Sequence, residues 1–390
     1  MGPSDLNDQA RNVLSVYSVG KRVLTKSVWP MPNDVQIKQF ELSDLDALLS
    51  FLRIAYPGEA LKGDPTFWKW HFLENPYVSH DNVPLWIVKN GDDVVGQMAT
   101  IPVSLKVGKE ERPAIWIIDF ILLSEYRGQK LGKRLMQVAR ETYCTTMIAL
   151  GYNEQSRAVL LSHKWVEQGN INRYHKILFP GDAASKISQL GPLRRMANLL
   201  YAPFRPSRAR LTSSRNAELR EVKEFDASFD DLWRDASEQW PCAVVRSSRF
   251  LEWQYMKQPG KKFDVIGYYE KGRLLGYVVL FFRKAESGGV SHKAAITDLC
   301  YSATNPADVI DGLIKSALKL ALERRVGGLV IDVLDEQVER SLRRFGFWRI
   351  KASPPFMVGT IESQDLMYER SNWFLTRGDS DVSIFEEPNV

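Results

Sequence analysis

The sequence predicts an α+β protein in which two tandem copies of one mixed-sheet domain follow each other. The first observation is a buried strand, a short basic loop with two glycines and an amphipathic helix, all between residues 115 and 142. The second is a pattern of aromatic, glycine and acidic positions that recurs about 180 residues later. The third is the length, because 390 residues leave room for two domains or slightly more.

Composition is typical of soluble globular proteins and restricts the partners. Apolar residues make up 44% and charged residues 25% of the chain. The net charge of +5 suits anionic ligands but does not indicate a nucleic-acid binder. Three widely spaced cysteines, Cys144, Cys242 and Cys300, predict neither a disulfide framework nor a metal site. No apolar run reaches the ~20 residues of a membrane span, and the polar N-terminus does not resemble a signal sequence, so we expect a cytoplasmic protein.

The elements before the basic loop follow from local patterns. Residues 35–40 alternate between apolar and polar side chains and predict a strand. Ser43 is a suitable N-cap for a helix with a leucine face, and Asp64-Pro65 begins a second helix. Asn90-Gly91-Asp92 lies between two apolar runs and indicates a hairpin, and a further strand is expected from Ile101 to Val107. The predicted order is strand, helix, helix and three strands.

The strand at 115–123 leads through the basic loop into a helix predicted from Leu131 to Thr142. The first N–H groups of a helix have no partner within it, and the helix dipole is positive there, so this junction can hold a pyrophosphate. A Walker loop is excluded because only three residues separate Gly128 from Gly132 and Arg134 follows Lys133. A Rossmann loop is excluded because the third glycine and the later acidic residue are missing.

The remaining pattern resembles the acetyl-CoA loop of the GCN5-related N-acetyltransferase (GNAT) superfamily. Arg127, Gln129, Leu131 and Gly132 match that loop, whereas Lys130 replaces the first glycine of the family. The resemblance implies the acyl-CoA N-acyltransferase fold, with which the predicted element order agrees, and acetyl-CoA as co-substrate. It implies cofactor contacts from these residues: Leu122, Leu123, Arg127, Gly128, Gln129, Lys130, Leu131, Gly132, Lys133 and Asn153.

The resemblance also directs the search for catalytic groups. The family often places a tyrosine on the helix after Asn153 to protonate the leaving thiolate, but spacing back from Trp165 puts Leu160 there. His163 is the substitute acid that we select, and Ser162 and Tyr152 are further candidates. Asp119, inside the apolar strand, is the candidate general base, because burial raises the pKa of a carboxyl group.

The repeat supports two copies but makes them unequal. Phe67 and Trp70 recur as Phe250 and Trp253, which are 183 residues later, and Asp119 recurs as Asp298, which is 179 later. A structural role shared by the two aspartates explains their positions as well as catalysis does. In place of the basic loop, the second copy has residues 302–308, without glycine or a basic residue and with Asp308 at the helix start, where it would repel a diphosphate.

These observations divide the chain into an N-terminal extension (1–34), an acetyl-CoA-binding GNAT domain (35–179), a basic linker rich in proline and arginine (180–217) and a degenerate second copy (218–390). The linker contains a short basic amphipathic helix. Two interpretations stay open for it, which are peripheral contact with an anionic membrane and a packed connector with a solvated basic face.

The predicted function is transfer of an acetyl group from CoA to a primary amine, by direct attack in a ternary complex. Tandem acetyltransferases of bacterial surface-polysaccharide loci resemble the whole arrangement, which makes an amino sugar or polysaccharide precursor the preferred acceptor. A non-catalytic acetyl-CoA-binding or regulatory protein stays open, since Lys130 and Leu160 depart from the family. A relative of the peptidoglycan aminoacyl transferases is the third alternative, although those proteins use charged tRNA and need no diphosphate loop.

Overall fold

The computed structural model describes residues 35–78, 82–143, 146–183, 191–206, 211, 217–283, 293–351, 353–360 and 365–381. The predicted N-terminal extension and Cys144 lie outside these residues. Among the described residues no helix is long and apolar enough to cross a bilayer. The same residues contain no cluster of three or more His, Cys, Asp or Glu suited to a metal ion.

The first half of the chain alternates strands and helices around the predicted loop. Its elements are β1 (Val35–Gln39), α1 (Leu45–Ala55), α2 (Pro65–Phe72), β2 (Trp86–Asn90), β3 (Asp93–Val107), β4 (Glu110–Leu122), α3 (Leu131–Thr142), β5 (Thr146–Leu150), α4 (Glu154–Ser162), β6 (Val166–Asn170) and β7 (Asn172–Ile177). The helix predicted after the loop is confirmed with the predicted bounds. The prediction of a separate strand at 101–107 was wrong, because these residues continue β3, which is apolar and buried along most of its length.

The second half follows through α5 (Pro180–Ala183) and α6 (Gly191–Leu200). Its elements are β8 (Ala217–Val222), α7 (Ala227–Ala236), β9 (Cys242–Val244), α8 (Ser248–Leu251), β10 (Phe263–Glu270), β11 (Arg273–Phe282), β12 (Lys293–Tyr301), α9 (Pro306–Glu323), β13 (Gly328–Leu334), α10 (Glu336–Arg344), β14 (Trp348–Ile350), β15 (Pro355–Thr360), α11 (Asp365–Tyr368) and β16 (Trp373–Thr376). The order β2-β3-β4-α3-β5-α4-β6-β7 thus recurs as β10-β11-β12-α9-β13-α10-β14-β15.

All these strands belong to one mixed sheet, which confirms the predicted α+β class. Strands β2, β3 and β4 pair antiparallel, whereas β5 joins β4 in parallel, and β10 to β13 repeat this arrangement. The last strands of the two halves change places. β15 pairs with β5 and β6, and β7 pairs with β13 and β14. Each half of the sheet is therefore completed by a strand from the other half.

The exchange requires close packing where β15 crosses the first half. A Cβ atom at Gly359 of β15 would lie 2.3 Å from Cε2 of the buried Trp165. Only glycine leaves room for the indole ring at this point. The register from Phe356 opposite Leu150 to Thr360 opposite Thr146 depends on that space.

A second reciprocal contact joins α2 to the segment after α8. The indole Nε1 of Trp70 donates a 3.0 Å hydrogen bond to the carbonyl oxygen of Trp253, and Trp253 Nε1 donates an equal bond to the carbonyl of Trp70. Their rings stack with centroids 5.0 Å apart. Equivalent residues of the two halves thus bind each other, as across a two-fold axis.

Replacing either indole by a phenyl ring tests this contact. We expect Trp70→Phe and Trp253→Phe each to lower the free energy of unfolding by about 1–3 kcal/mol, because each leaves a buried carbonyl without its donor. Chemical denaturation measures the change. Trp348→Phe is the control, since its side chain is 41% exposed, and we expect less than about 0.5 kcal/mol there. Equal losses in all three variants would contradict the interpretation.

His71 gives the fold a pH dependence. Burial lowers the pKa of its imidazole to about 3, so the side chain stays neutral in the folded state where the unfolded chain would protonate it. Its contribution to stability is complete above the unfolded pKa of about 6.5 and falls as the pH drops, by about 2 kcal/mol at about pH 5. As the pH falls across this range, the free energy of unfolding should decrease less in His71→Phe than in the wild type. Parallel plots of this free energy against pH for the two proteins would contradict the assignment.

Candidate active site

A cavity of ≈ 1180 Å³ opens where β4 and β5 separate. The two parallel strands pair only from Ile115 opposite Met147 to Ile117 opposite Ala149, although β4 continues to Leu122. Beyond Ile117 the edge of β4 that faces β5 has no strand partner among the described residues. This edge, the basic loop, the start of α3 and the first turns of α4 line the cavity.

A β-bulge in β4 places Asp119 at this opening. The register between β3 and β4 passes from Met98 opposite Phe120 to Ala99 opposite Ile118, so Asp119 is the extra residue. Its φ of 39° lies in the left-handed region, which is uncommon for a residue with a side chain. The bulge thus directs the aspartate out of the regular ladder.

One end of the cavity is suited to an anion. α3 begins after Lys130, and the backbone bond from Arg134 N to Lys130 O is 3.2 Å long, so the N–H groups of Leu131, Gly132 and Lys133 precede the helical ladder. The side chains of Arg127, Lys130 and Lys133 line the cavity beside them. Backbone donors, helix dipole and three cations therefore converge on one place.

Lys130 has a φ of 61°, which explains the glycine that the family places there. A side chain in this conformation costs about 1–2 kcal/mol, so the backbone of Lys130 is strained where that of a glycine would not be. Arg127 stabilises the loop because its Nε donates to the carbonyl of Leu122 at 2.9 Å. Gln129 stabilises it too, because its Nε2 donates to the carbonyl oxygen of Glu125 at 3.0 Å. Gln129 does not itself line the cavity.

The backbone N–H groups of Leu122 and Leu123 differ in whether they are available to a ligand. Leu123 N donates to Val95 O at 3.0 Å, and Leu123 is not among the lining residues. Its N–H is therefore already bound within the sheet and is not available for the cofactor contact that we expected of Leu123. Ladder donors alternate along an antiparallel strand, and the N–H of Leu122 therefore points away from β3, toward the cavity. Leu122 is the better placed donor.

Asn153 and the residues after it form the opposite wall. The Oδ1 of Asn153 caps α4 by accepting the N–H of Ser156 at 2.9 Å, and the residue lines the cavity. Leu160 lines it as well, so the position of the family's tyrosine carries no hydroxyl group. Tyr152 lines the cavity, but its hydroxyl donates to Glu167 at 3.4 Å, and Glu167 is not a lining residue. Burial and the Glu167 carboxylate raise the pKa of Tyr152, so that its hydroxyl keeps the proton at neutral pH.

The structure does not bring His163 to the cavity. The residue ends α4, and its Nδ1 lies 3.0 Å from the carbonyl oxygen of Val159. Burial lowers the pKa of His163, which leaves the ring neutral. Spacing in the sequence placed His163 near the right helix turn, but its ring binds the backbone of Val159 and the residue is not among those that line the cavity.

Asp119 has two partners that sequence reasoning missed. Lys62 Nζ and the Tyr56 hydroxyl both bind Oδ1 of Asp119, the latter at 2.9 Å, and Lys62 Nζ lies 4.1 Å from the centre of the Tyr56 ring. No described residue binds Oδ2 of Asp119, whose side chain is 10% exposed. A signal existed near the repeated positions, since Lys62 lies two residues before the N-cap Asp64 of α2 and Arg246 lies one residue before the N-cap Ser247 of α8.

Asp298, at the repeated position, is saturated with partners. Its Oδ1 accepts from Arg246 at 3.1 Å, from Thr376 Oγ1 at 2.8 Å and from its neighbour's N–H, and its Oδ2 accepts from the Tyr277 hydroxyl at 3.0 Å. In β12 the register shift makes Thr297, not the aspartate, the extra residue. The two aspartates thus differ in the number of partners that their oxygens have.

Comparisons with known proteins agree with this geometry. Residues 36–154 match the family model described as an acetyltransferase (GNAT) domain. No curated protein matches the sequence.

Solved structures share the fold over most of the chain. N-myristoyltransferase of Saccharomyces cerevisiae with bound myristoyl-CoA superposes with a TM-score of 0.57 at 10% identity, covering 87% of this chain and 86% of that one. A probable N-acyltransferase of Enterococcus faecalis gives 0.56 at 12%, and a GCN5-related N-acetyltransferase of Anabaena variabilis gives 0.55 at 13%, each covering 84% of this chain and 73% of its own. Residues 36–154 therefore resemble a GNAT acetyltransferase domain, and most of the chain shares the fold of these acyltransferase structures.

Proposed function

We propose that this chain transfers an acetyl group from acetyl-CoA to a primary amine by direct attack in a ternary complex. One observation carries the proposal. A single cavity joins an anion-binding helix start to a carboxylate that has one oxygen without a partner among the described residues. These are the two groups that a CoA-dependent N-acyltransferase needs.

The diphosphate of acetyl-CoA fits the N–H groups of Leu131, Gly132 and Lys133, with Arg127, Lys130 and Lys133 offsetting its charge. The unpaired edge of β4 can bind an extended amide-containing arm in the way that a sheet edge binds a strand. The N–H of Leu122 at this edge is a donor for the oxyanion that forms when the amine attacks. All the donors and cations in these contacts belong to this chain.

The other end of the cavity suits a cationic acceptor. Glu59, Asp119 and Asp381 all line it and outnumber Lys62, so an ammonium group is attracted to this end of the cavity. Oδ2 of Asp119 is placed to accept the ammonium proton, directly or through a water. The amine nitrogen then bonds to the acyl carbon as the C–S bond breaks, and the second proton of that nitrogen passes to the departing thiolate, directly or through solvent.

For the acceptor we propose an amino sugar, as in precursors of bacterial surface polysaccharides. The carboxylates can bind sugar hydroxyls as well as the amine. We infer that residues 218–381 do not bind CoA themselves, since α9 begins with Pro306, which has no N–H, and carries Asp308 in its first turn. Apart from Asp381, which lines the cavity, their contribution is structural, through the exchanged strands.

Gly132→Ala tests the placement of acetyl-CoA. A Cβ atom there would meet Phe120 Cζ at 3.4 Å and Val159 Cγ2 at 3.5 Å, which are ordinary contacts, so we expect folding to be kept. The methyl group enters the cavity at the proposed diphosphate, and we expect acetyl-CoA affinity to fall by about tenfold or more in calorimetric titration.

Gly191→Ala is the matched control, because this glycine also begins a helix and has no atom within 4 Å of a Cβ. It should bind acetyl-CoA like the wild type. Unchanged affinity in Gly132→Ala would place the diphosphate elsewhere.

Asp119→Asn tests the general base. We expect kcat to fall by about 10²- to 10⁴-fold while acetyl-CoA affinity is unchanged, because the amide cannot take the proton but keeps the shape. Release of free CoA thiol with amino sugars measures the rate. Glu59→Gln removes another cavity carboxylate and should raise KM for the amine more than it lowers kcat. Equal effects of both variants on kcat would contradict the role of Asp119.

A further inference from the structure

Helix α6 and the turn after it expose an unusual number of large apolar side chains. Of the twelve such side chains exposed among the described residues, five lie between positions 193 and 204. The three most exposed are Leu199 at 74%, Phe204 at 72% and Leu200 at 70%, and the others are Leu193 and Met196. We call these five side chains the α6 surface.

The helix is attached to the protein by its polar face. The buried Asn198 accepts the N–H of Gly181 through Oδ1 and donates to Asp182 Oδ2 through Nδ2, both at 2.9 Å. Arg194 Nε lies 2.5 Å from Asp182 Oδ1, and Asp182 is fully buried. A Cβ atom at Gly181 would lie 2.3 Å from Arg194 O, so α5 and α6 are in direct contact.

The apolar face consequently points outward. At 100° per residue, the four apolar positions of α6 on this surface fall within an arc of about 120°, opposite Arg194 and Asn198. This is the reverse of a helix that packs on a globular core. Specific buried hydrogen bonds hold the inverted orientation, so the exposure is built into the fold.

Positive charge is concentrated in the same segment. Residues 180–217 contain seven Lys or Arg and one Asp, a net charge of +6, whereas the whole chain has +5. The remainder of the chain therefore carries −1. Arg195 is exposed on α6 itself, next to Leu199 on the helix circumference.

We propose that the α6 surface inserts into the headgroup region of an anionic lipid bilayer. An interfacial helix of this type needs exposed apolar side chains for the acyl boundary and basic residues for the anionic headgroups, and this segment supplies both. A second copy of the chain fits less well, because self-association through this face would bring the Arg195 side chains of two copies close together. The surface is distinct from the acyl-transfer cavity, and the proposal does not depend on the acceptor.

Vesicle co-sedimentation of the full chain tests the proposal. We expect the wild type to bind vesicles of phosphatidylcholine with about 30% phosphatidylglycerol, to bind phosphatidylcholine alone much less, and to be released by about 0.5 M salt. Leu199→Ser combined with Leu200→Ser should bind the anionic vesicles more weakly by about tenfold or more, because two apolar side chains that would insert at the acyl boundary are removed. Arg195→Glu should weaken binding to the anionic vesicles alone.

Ile54→Ser is the matched control, since Ile54 is 66% exposed on helix α1 and should bind like the wild type. All the substituted side chains are exposed, so thermal unfolding should be unchanged. Failure of the wild type to co-sediment with anionic vesicles would overturn the proposal, as would undiminished binding by the double serine variant. A wild-type dimer in size-exclusion chromatography that this variant converts to a monomer would assign the surface to a second copy instead.

Discussion

The reciprocal exchange of β7 and β15 is the constraint on which the rest of the structure depends. β5 is held on its outer side by β15, over five residue pairs, and on its inner side by β4, over only three. β4 in turn pairs with β3 along almost its whole length. Because each of the two parallel strands is bound more extensively to its other neighbour, they can separate beyond Ile117, and the candidate active-site cavity is the space between them.

The site also depends on the position of a single extra residue in a strand. In β4 the bulge falls on Asp119, which leaves the ladder and keeps an oxygen for a ligand. In β12 it falls one position earlier along the repeat, on Thr297, and Asp298 stays in the ladder with both oxygens occupied. Buried carboxylates require such partners, whereas a carboxylate that takes up a proton must have a free position. A shift of one residue thus separates an aspartate whose oxygens are all bound from the one that we propose as the general base.

Sequence patterns predicted what local physics determines. The bounds of α3, the glycine-containing loop and the mixed-sheet class all follow from periodicity and from turn chemistry over a few residues. The exchange of strands was not predictable in this way, because β5 and β15 are about 200 residues apart and each is an ordinary apolar strand. Lys62 was missed for the same reason, since its contact with Asp119 is formed only in the tertiary structure. For α6, periodicity identified the two faces correctly, but which face points inward depends on Asn198 and Asp182.

The C-terminal segment explains why the two halves cannot be treated as separable modules. Gly378 packs against the bulge of β12, where a Cβ atom would lie 2.1 Å from the Tyr255 hydroxyl and 3.1 Å from Asp298 Cβ. Asp379, next in the chain, binds the Arg246 guanidinium at 2.9 Å, and burial raises the pKa of its carboxyl group to about 6. Two residues later, Asp381 lines the active-site cavity of the first half. Residues 378–381 therefore pack beside Asp298 in the second half and supply the Asp381 carboxylate to the cavity in the first half. Loosening the contacts of Gly378 and Asp379 would displace Asp381.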